Sequence, residues 1–386
     1  MLMDGNRAAA EAAFLCGVDV IPAYPITPAS PVTEHLAAMI AEGRLAARFL
    51  VAESDHSALA AAVGASLTGA RVFTATNSQG LAYMSELLYH ASGLRLPIVM
   101  AVVNRAMSAP HSRFADQGDA LGQEAAGWIQ FHCENVQEVL DTVIQAFRVA
   151  EDPRVQLPVM VNYEAYVISH TAEPVRVPEA AAVREFLHHR PRPVLDPDHP
   201  VAVNTVASPT WYGRFRRAQH DAMAVAEGVI SQVAAEFAEA FGRTWNGLLE
   251  EYRCEGASTL LVVMGALAST ARIAVDSLRE SGLAVGMIKV RCPVPFPRAA
   301  FRRAAGMARE LVVVDRNLIP GQGGFLARQV RAAVAEMPSG VQPRVLGVVA
   351  GLGGGDIEAE DLVRVAVSAS DLAADAGGGN WFVAAG

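Results

Sequence analysis

Near its amino end the chain carries the stretch YPITPASP, residues 24–31, in which three of eight residues are proline. Proline fixes the backbone and lacks an N–H donor, so this stretch is neither the interior of a helix nor a central strand. It follows an apolar run at residues 17–23 that predicts a buried strand. A stiff loop at the carboxyl end of a strand is where an open α/β sheet forms its binding crevice, and Thr27 offers a hydroxyl there. The alternative is an ordinary turn in which Ser30 or Thr33 caps the next helix.

The composition is typical of a globular protein with more than one domain. The chain has 386 residues, of which 52% are hydrophobic and 18% are charged, and this length predicts two or three domains. No apolar run approaches the roughly 20 residues that a membrane-spanning helix needs. The first residues lack the charged and apolar segments of a signal peptide. We therefore expect a soluble, cytoplasmic protein with no membrane partner.

The charges and the cysteines argue against two classes of site. The net charge is −9 and Lys289 is the single lysine, which argues against nucleic-acid binding. The four cysteines are far apart and form no CxxC motif, so the chain is not expected to hold an iron–sulfur cluster or a zinc ion by itself. We expect buried free thiols at Cys16, Cys133, Cys254 and Cys292.

Strands alternate with helices through the first 170 residues. Each predicted strand is a short apolar or β-branched run, the clearest being the uninterrupted run at residues 97–103. Helical segments lie between these runs, including one over residues 54–67 with Ser54 at its N-cap position and one over residues 81–92. This alternation predicts an α/β fold with a parallel, doubly wound sheet. The predicted strands are residues 17–23, 48–52, 72–76, 97–103 and 158–162.

A Pro-rich connector and a long helix precede a second α/β unit. Residues 171–256 contain the connector and an amphipathic helix over 214–241, in which the apolar stripe of Val225, Val229, Val233 and Phe237 indicates core or partner contacts. The His188–His189 pair in the connector is interpreted as surface linker rather than as a metal site. Residues 257–386 form the second, smaller domain. Its Gly-rich helix start at 321–324 offers N–H groups to a phosphate, but the signal is weak because the full GxGxxG spacing and a P-loop lysine are missing.

Four strand ends in the first domain carry polar side chains. If the strands are parallel, all four loops lie at the same edge of the sheet. The arginine among them suits an anionic substrate, because its planar fork binds a carboxylate through two hydrogen bonds. No nucleophile with a base, metal cluster or hydride carrier accompanies it, so the chemistry must come from a cofactor. In chain order the loops present Thr27, then Glu53 and Asp55, then Ser78 and Gln79, then Asn104 and Arg105.

Eight motifs follow one another along the chain: YPITPASP, ESDHSALAAAVGASLTGARVFTATNSQGL, SGLRLPIVMAVVNRAMSAP, FADQGD, LDPDHP, GRTWNGLLEEYR, VRCPVPFP and VDRNLIPGQGG. Together they resemble the α subunit of the pyruvate:ferredoxin oxidoreductase family. These are thiamine-diphosphate-dependent 2-oxoacid:acceptor oxidoreductases, and they include phenylglyoxylate dehydrogenase-type enzymes. The resemblance covers most of the chain. It implies a pyrimidine-type thiamine diphosphate domain over residues 1–170 and a transketolase C-terminal-like domain over residues 257–386.

The resemblance also implies roles for individual residues. Thr27 matches the threonine that contacts substrate, and Arg105 matches the arginine that holds the carboxylate of the 2-oxoacid. Asp55 occupies the place of a glutamate that bonds the aminopyrimidine ring and activates thiamine. Ser78 and Gln79 line the adjacent loop of the cofactor site. No residue of this chain is implied as a metal ligand.

Two departures from the family pattern stand out. Asp55 is shorter than glutamate by one C–C bond, about 1.5 Å. Either the backbone lies closer to the cofactor or Glu53 substitutes, although residues two apart seldom face the same way, so Asp55 is preferred. The alternative role for Asp55 is to stabilise the amino end of its helix. The segment at 123–128 also differs, because Glu124 and Ala126 stand where pyruvate enzymes usually carry arginine and threonine, which signals a different substrate or altered CoA contacts.

The family's GDG…N motif for Mg²⁺ and diphosphate is absent, which implies that a β subunit supplies that half of the site. The implied reaction is CoA-dependent oxidative decarboxylation of a 2-oxoacid, either pyruvate or an aryl 2-oxoacid such as phenylglyoxylate, to acyl-CoA and CO₂. Electrons would pass through iron–sulfur clusters in partner chains, the γ and ferredoxin-like δ subunits, to ferredoxin or to NAD through a flavin subunit. The alternatives are a transketolase-like carboligase and a non-catalytic scaffold subunit.

Overall fold

The computed structural model describes residues 1–188, 195, 196, 198–306, 308–368, 380 and 381. His189 of the histidine pair and Pro197 of the LDPDHP motif lie outside these residues. Of the described helices, none combines the length and the apolar character that crossing a bilayer requires. The four cysteines are free thiols, as expected, and all are buried except Cys254, which is partly exposed.

The first domain is a parallel sheet with helices packed on it, as the alternating pattern predicted. Four strands pair in the order β4-β5-β7-β6, and β2 pairs with β3 beside them. A parallel bridge between Val20 and Val72 joins the two groups. The elements are β1 (Leu2–Met3), α1 (Gly5–Leu15), β2 (Val20–Ala23), α2 (Ser30–Ala41), β3 (Arg48–Val51), α3 (Asp55–Leu67), β4 (Phe73–Thr76), α4 (Ser78–Tyr83), α5 (Ser85–Gly93), β5 (Val99–Asn104), α6 (Gly118–Leu121), β6 (Ile129–His132), α7 (Val136–Ala150) and β7 (Val159–Glu164).

Two short elements, a long helix and a second sheet follow. The described strands of this sheet pair in the order β14-β13-β12-β10-β11-β9, and only β9 runs antiparallel to its neighbour. The expected connector region ends at residue 256, yet β9 within it belongs to the second sheet. The elements are β8 (Glu173–Pro174), α8 (Ala180–Phe186), α9 (Pro209–Phe241), β9 (Leu249–Tyr252), β10 (Thr259–Val263), α10 (Leu267–Glu280), β11 (Val285–Val290), α11 (Arg298–Ala305), β12 (Glu310–Asp315), α12 (Phe325–Ala335), β13 (Arg344–Val349), α13 (Ala359–Val367) and β14 (Asn380–Trp381).

The sequence correctly predicted the N-cap of α3, whereas neither residue considered as the N-cap of α2 occupies that position. The Ser54 side chain accepts a hydrogen bond from the N–H of Ser57, so the predicted N-cap of α3 is confirmed. Neither Ser30 nor Thr33 caps α2, because that helix already begins at Ser30 and Ala29 precedes it. The helix predicted over residues 81–92 is divided at Met84 into α4 and α5.

The long helix α9 packs one stripe on the first domain. Val229, Val233 and Phe237 are buried there, as the spacing predicted, but Val225 is exposed and Ala226 takes its place in the stripe. The exchange arises because steps of four residues drift around a helix with 3.6 residues per turn. The first two turns of the helix are exposed, so the packing of α9 begins only after them.

A buried network of charges joins the two domains. Lys289 on β11 donates to Oε2 of Glu134 at 2.8 Å and to Oε2 of Glu138 at 2.7 Å. Arg291 donates to Oε1 of Glu138 at 2.8 Å, and Arg272 donates to Oε1 of Glu134 at 2.6 Å. Burial raises the pKa of the Glu138 carboxyl, but Lys289 and Arg291 outweigh that effect and hold its pKa below the ordinary value. Charges paired this closely fix the first domain against the second.

Candidate active site

The parallel strands bring four loops to one edge of the first sheet. β3, β2, β4 and β5 run in the same direction, so the loop after each strand leaves at the same edge. These are the loops in which the sequence predicted Thr27, Asp55, Ser78 and Arg105. Hydrogen bonds connect these loops to one another, so they form one continuous polar surface.

Asp55 is buried at the start of α3, with 5% of its surface exposed. Its Oδ1 accepts a hydrogen bond from Oγ1 of Thr76, the last residue of β4, at 2.7 Å. Gly80 packs directly against it, since a Cβ there would lie 2.5 Å from Oδ1 of Asp55. Burial raises the pKa of the Asp55 carboxyl, although the Thr76 hydrogen bond opposes the rise. A carboxyl group in this setting is suited to sharing a proton with a bound base.

Glu53 has different surroundings. It is exposed, and its Oε1 accepts a hydrogen bond from Oγ of Ser57 at 2.5 Å. That bond lowers the pKa of the Glu53 carboxyl, which therefore stays ionised. Although Glu53 and Asp55 are only two residues apart, they bond different partners: Glu53 bonds Ser57 and Asp55 bonds Thr76.

The Arg105 guanidinium crosses between the loops. Nη1 donates to the carbonyl oxygen of Thr27 at 2.6 Å, Nη2 to Oε1 of Gln79 at 3.2 Å, and Nε to the carbonyl oxygen of Ser112 at 3.4 Å. All three acceptors are neutral, and the Arg105 guanidinium forms no ion pair with the described residues. Three of the five N–H donors are used, so two remain, one on each Nη. That is the number an end-on contact with a carboxylate needs.

Thr27 contributes its backbone to this surface. Its carbonyl oxygen accepts from Arg105, while the residue as a whole is exposed. The hydroxyl predicted to contact substrate has no hydrogen-bond partner among the residues that the structure describes. The Thr27 hydroxyl can therefore bond a ligand, and its contact with substrate stays a prediction.

Ser78 and Gln79 belong to the first turn of α4, which follows β4 after the single residue Asn77. Ser78 has a φ of 46°, a left-handed conformation that is uncommon for a residue with a side chain. Its hydroxyl donates to the carbonyl of Ala106 at 2.6 Å, and Gln79 donates from Nε2 to Oγ of Ser108 at 2.5 Å. Both residues thus tie this turn to the loop after β5.

Asp119 is a residue of this site that the sequence reasoning missed. It is buried, and its carboxylate accepts the backbone N–H groups of Ser78 and Arg105. Burial raises the pKa of Asp119, opposed by these hydrogen bonds. The FADQGD motif contained the signal, but a contact with two distant loops is not visible in a linear motif.

The departure at Glu124 has a structural explanation. Its carboxylate pairs with Arg328 and accepts from Nε2 of Gln329, both on α12 of the second domain. Ala126 is buried in a hydrophobic cluster of the first domain. Among the described residues, Glu124 bonds neither Arg105 nor Asp55, and its contacts with α12 join the first domain to the second.

At the Gly-rich start of α12, a phosphate would meet N–H groups that are already bonded within the chain. Asp315 accepts the N–H groups of Leu326 at 2.8 Å and Ala327 at 3.0 Å, and Asn317 accepts that of Phe325 at 2.9 Å. The protein's own carboxylate thus takes the place that an anion would occupy. Burial raises the pKa of Asp315 to about 6.

A metal site is not formed by the described part of the chain. No three histidine, cysteine, aspartate or glutamate side chains there converge as ligands. His188 bonds the carbonyl of Glu185 at 2.9 Å, in agreement with the linker interpretation for this residue.

Comparisons with known proteins identify the class. The family described as "Pyruvate flavodoxin/ferredoxin oxidoreductase, thiamine diP-bdg" matches residues 11–235, and "Pyruvate:ferredoxin oxidoreductase core domain II" matches residues 257–362. The fold and these matches define a thiamine-diphosphate-binding domain followed by an oxidoreductase core domain.

The relatives identify the subunit. Pyruvate synthase subunit PorA of Methanothermobacter thermautotrophicus is 44% identical over 367 residues, 94% of each chain. Ketoisovalerate oxidoreductase subunit VorA of Pyrococcus horikoshii is 43% identical over 368 residues, 95% of this chain and 92% of the relative. The chain belongs to the pyruvate:ferredoxin oxidoreductase family and is an α-type subunit of a 2-oxoacid:ferredoxin oxidoreductase.

Two solved structures share the fold. A 2-oxoglutarate:ferredoxin oxidoreductase from Magnetococcus marinus, with 2-oxoglutarate, coenzyme A and succinyl-CoA bound, superposes with a TM-score of 0.72 at 19% identity. This chain is covered over 94% of its length but spans only 64% of that chain. A split-gene transketolase, an inactive β4 tetramer, gives a TM-score of 0.57 at 16% identity and covers 95% of this chain and 98% of that chain.

Proposed function

We propose that this chain binds a 2-oxoacid, with pyruvate as the substrate and 2-oxoisovalerate as its main competitor, in a CoA-dependent oxidoreductase complex. The observation that carries the proposal is the Arg105 guanidinium, which has neutral acceptors and two unused N–H donors. A buried cation without a paired carboxylate favours an anionic ligand. The relatives are named for pyruvate and for ketoisovalerate, and neither name favours an aryl 2-oxoacid such as phenylglyoxylate.

The residues around Asp55 fit the aminopyrimidine of thiamine diphosphate. Asp55 offers the carboxyl oxygen that Thr76 does not contact, and burial raises the pKa of this carboxyl group. Nearby, Oδ1 of Asn77 is buried with no donor among the described residues. An acid and an unpaired acceptor together suit a ring nitrogen beside an amino group. Ser78 and Gln79 would line this side of the cofactor.

Each residue then has a separate task. Arg105 binds the substrate carboxylate, and the hydroxyl of Thr27 contacts the bound 2-oxoacid. Asp55, in preference to the exposed Glu53, holds the proton shared with the ring. Thiamine diphosphate, when bound, supplies the electron sink that cleavage next to a 2-oxo group requires.

The remaining parts of the machinery are proposed for partner chains. A β subunit would hold Mg²⁺ and the diphosphate, because the part of the chain that the structure describes forms no cluster of metal ligands. Iron–sulfur clusters in γ and ferredoxin-like δ subunits would carry electrons to ferredoxin. CoA would accept the acyl group, as its presence in the Magnetococcus marinus structure suggests for that enzyme. An NAD-linked flavin subunit has no support from the named relatives.

The test is made on the native complex, purified through this chain. CoA-dependent reduction of a viologen dye is measured with pyruvate, 2-oxoisovalerate, 2-oxoglutarate and phenylglyoxylate in parallel. We expect turnover with pyruvate, and a preference for 2-oxoisovalerate would revise the substrate alone. Absence of turnover with all four, in a preparation that contains iron and thiamine diphosphate, would contradict the proposal.

A further inference from the structure

One buried carboxylate joins the two loops that carry the proposed substrate site. Oδ2 of Asp119 accepts from the backbone N–H of Ser78 at 2.9 Å and from that of Arg105 at 3.0 Å. Oδ1 accepts from Nδ2 of Asn104 at 2.8 Å and from the N–H of Ala120 at 2.8 Å. Only 3% of the residue is exposed. Asp119 therefore sets the separation between the turn after β4 and the end of β5.

The backbone of Ser78 requires this support. Its φ of 46° is a conformation that residues other than glycine keep only when their surroundings hold them there. The N–H bond to Asp119 and the hydroxyl bond to the Ala106 carbonyl are both made to groups beyond the turn itself. Loss of the Asp119 acceptor would free the turn to relax and would move Gln79 with it.

Arg105 depends on the same carboxylate at both ends. Its backbone N–H is bonded to Asp119, and its Nη2 donates to Gln79, whose neighbour Ser78 is also bonded to Asp119. The start of the arginine side chain and one acceptor of its guanidinium thus share a single anchor. A shift of that anchor would change the direction in which the two unused N–H donors point.

We propose that Asp119 is a positioning residue for substrate binding, which presents the Arg105 guanidinium to the carboxylate of the 2-oxoacid. The inference rests on the proposed function of Arg105 and adds to it a residue that does not touch the substrate. The competing explanation is that Asp119 only stabilises the fold. A purely structural residue would change the stability of the complex but would leave the KM for the 2-oxoacid as it was.

The first test is Asp119→Asn in the native complex. Asparagine keeps one acceptor oxygen and puts an NH₂ group against donors on the other side, so one pair of hydrogen bonds is lost. We expect the KM for the 2-oxoacid to rise about tenfold, with a much smaller change in kcat and none in the KM for CoA. The control is Asp361→Asn, another buried aspartate that accepts a backbone N–H, at 2.9 Å from Glu358, but in the second domain. It should leave both KM values unchanged.

A double-mutant cycle separates positioning from stability. In an Arg105→Lys background the fork that Asp119 directs is gone, so we expect Asp119→Asn to change the KM by less than about twofold there. An equal rise in both backgrounds, a loss confined to kcat, or a lower melting temperature with unchanged KM would each overturn the inference. If the Asp119→Asn complex does not assemble, Asn104→Ala removes one donor to Oδ1 and should give a smaller KM rise; no rise would overturn the inference.

Different results would contradict the proposed function and the positioning role of Asp119. A wild-type complex without activity on any 2-oxoacid contradicts the proposed function. A wild-type complex that is active, together with an Asp119→Asn variant of normal KM, contradicts only the role of Asp119.

Discussion

Oδ1 of Asp55 accepts a hydrogen bond of 2.7 Å from Oγ1 of Thr76, which ties the first residue of α3 to the last residue of β4. The bond fixes the orientation of the carboxyl group and occupies one of its oxygens. An aspartate can therefore be directed into the proposed cofactor site even though it is shorter than glutamate.

Replacement of this carboxyl group should stop most of the proposed chemistry. Asp55→Ala in the assembled complex is expected to lower kcat by about 10²-fold or more, the usual contribution of a positioned acid or base. The measurement is CoA-dependent dye reduction at saturating 2-oxoacid. Glu53→Ala is the matched control, because Glu53 is exposed and Ser57 is its one side-chain partner among the described residues, and it should change kcat by less than about twofold. Unchanged turnover in Asp55→Ala would remove Asp55 from its assigned role.

Gly80 packs closely against Asp55, so a substitution at Gly80 tests the position of this carboxyl group without removing any polar group from the site. A Cβ at this position would lie 2.5 Å from Oδ1 of Asp55 and 2.6 Å from Oγ1 of Thr76. Gly80→Ala should therefore displace the carboxyl group and lower kcat at least about tenfold. Gly64→Ala, in the middle of α3 with nothing within 4 Å of the added carbon, should have no such effect. Equal activity of both variants would show that the position of Asp55 is not critical.

Breaking the charge network between the domains should destabilise the chain more than breaking an exposed ion pair. Lys289→Met leaves Glu134 and Glu138 in a buried site without their shared cation, which we expect to cost about 3–5 kcal/mol in the free energy of unfolding. Arg217→Met removes an exposed ion pair with Asp221 and should cost at most about 0.5 kcal/mol. Urea unfolding of the full chain measures both. Similar costs for the two variants would mean that the buried network contributes no more than a surface pair.

The same network predicts the response to acid. The pKa of Glu138 is lower in the folded chain than its ordinary value of 4.5, so its contribution to stability is complete above that pH. The contribution is lost as the pH falls through the lower, folded-state pKa. Glu138→Gln should therefore unfold with a shallower dependence on pH below 4.5 than the wild type, in equilibrium unfolding at a series of pH values. An unchanged dependence would exclude Glu138 as the titrating group.

The sequence was informative where local chemistry decides the structure. Ser54 is an N-cap because its side chain bonds an N–H three residues ahead, and the run at 97–103 became the buried strand β5. The convergence of four loops also followed from the sequence, since the carboxyl ends of parallel strands share an edge. These features depend on near neighbours or on a general rule of α/β sheets.

Long-range contacts were not predictable in the same way. β6 was missed because Gln130 and His132 interrupt its apolar residues, yet tertiary packing buries both. The departure at Glu124 predicted a different substrate or altered CoA contacts, and its contacts with Arg328 and Gln329, 204 and 205 positions away, could not be read from the segment at 123–128. Asp119 contacts residues 41 and 14 positions away in the sequence, and no spacing rule joins such distant groups.

The measurement that tests the central claim most directly is the KM of an Arg105→Ala complex for its preferred 2-oxoacid. In the proposed site, the substrate carboxylate accepts hydrogen bonds from the two unused N–H donors of Arg105. Their removal should raise the KM at least about a hundredfold, the loss expected for charge-assisted hydrogen bonds, and should leave the KM for CoA unchanged. A KM for the 2-oxoacid equal to that of the wild type would contradict the assignment of Arg105 and, with it, the proposed substrate site.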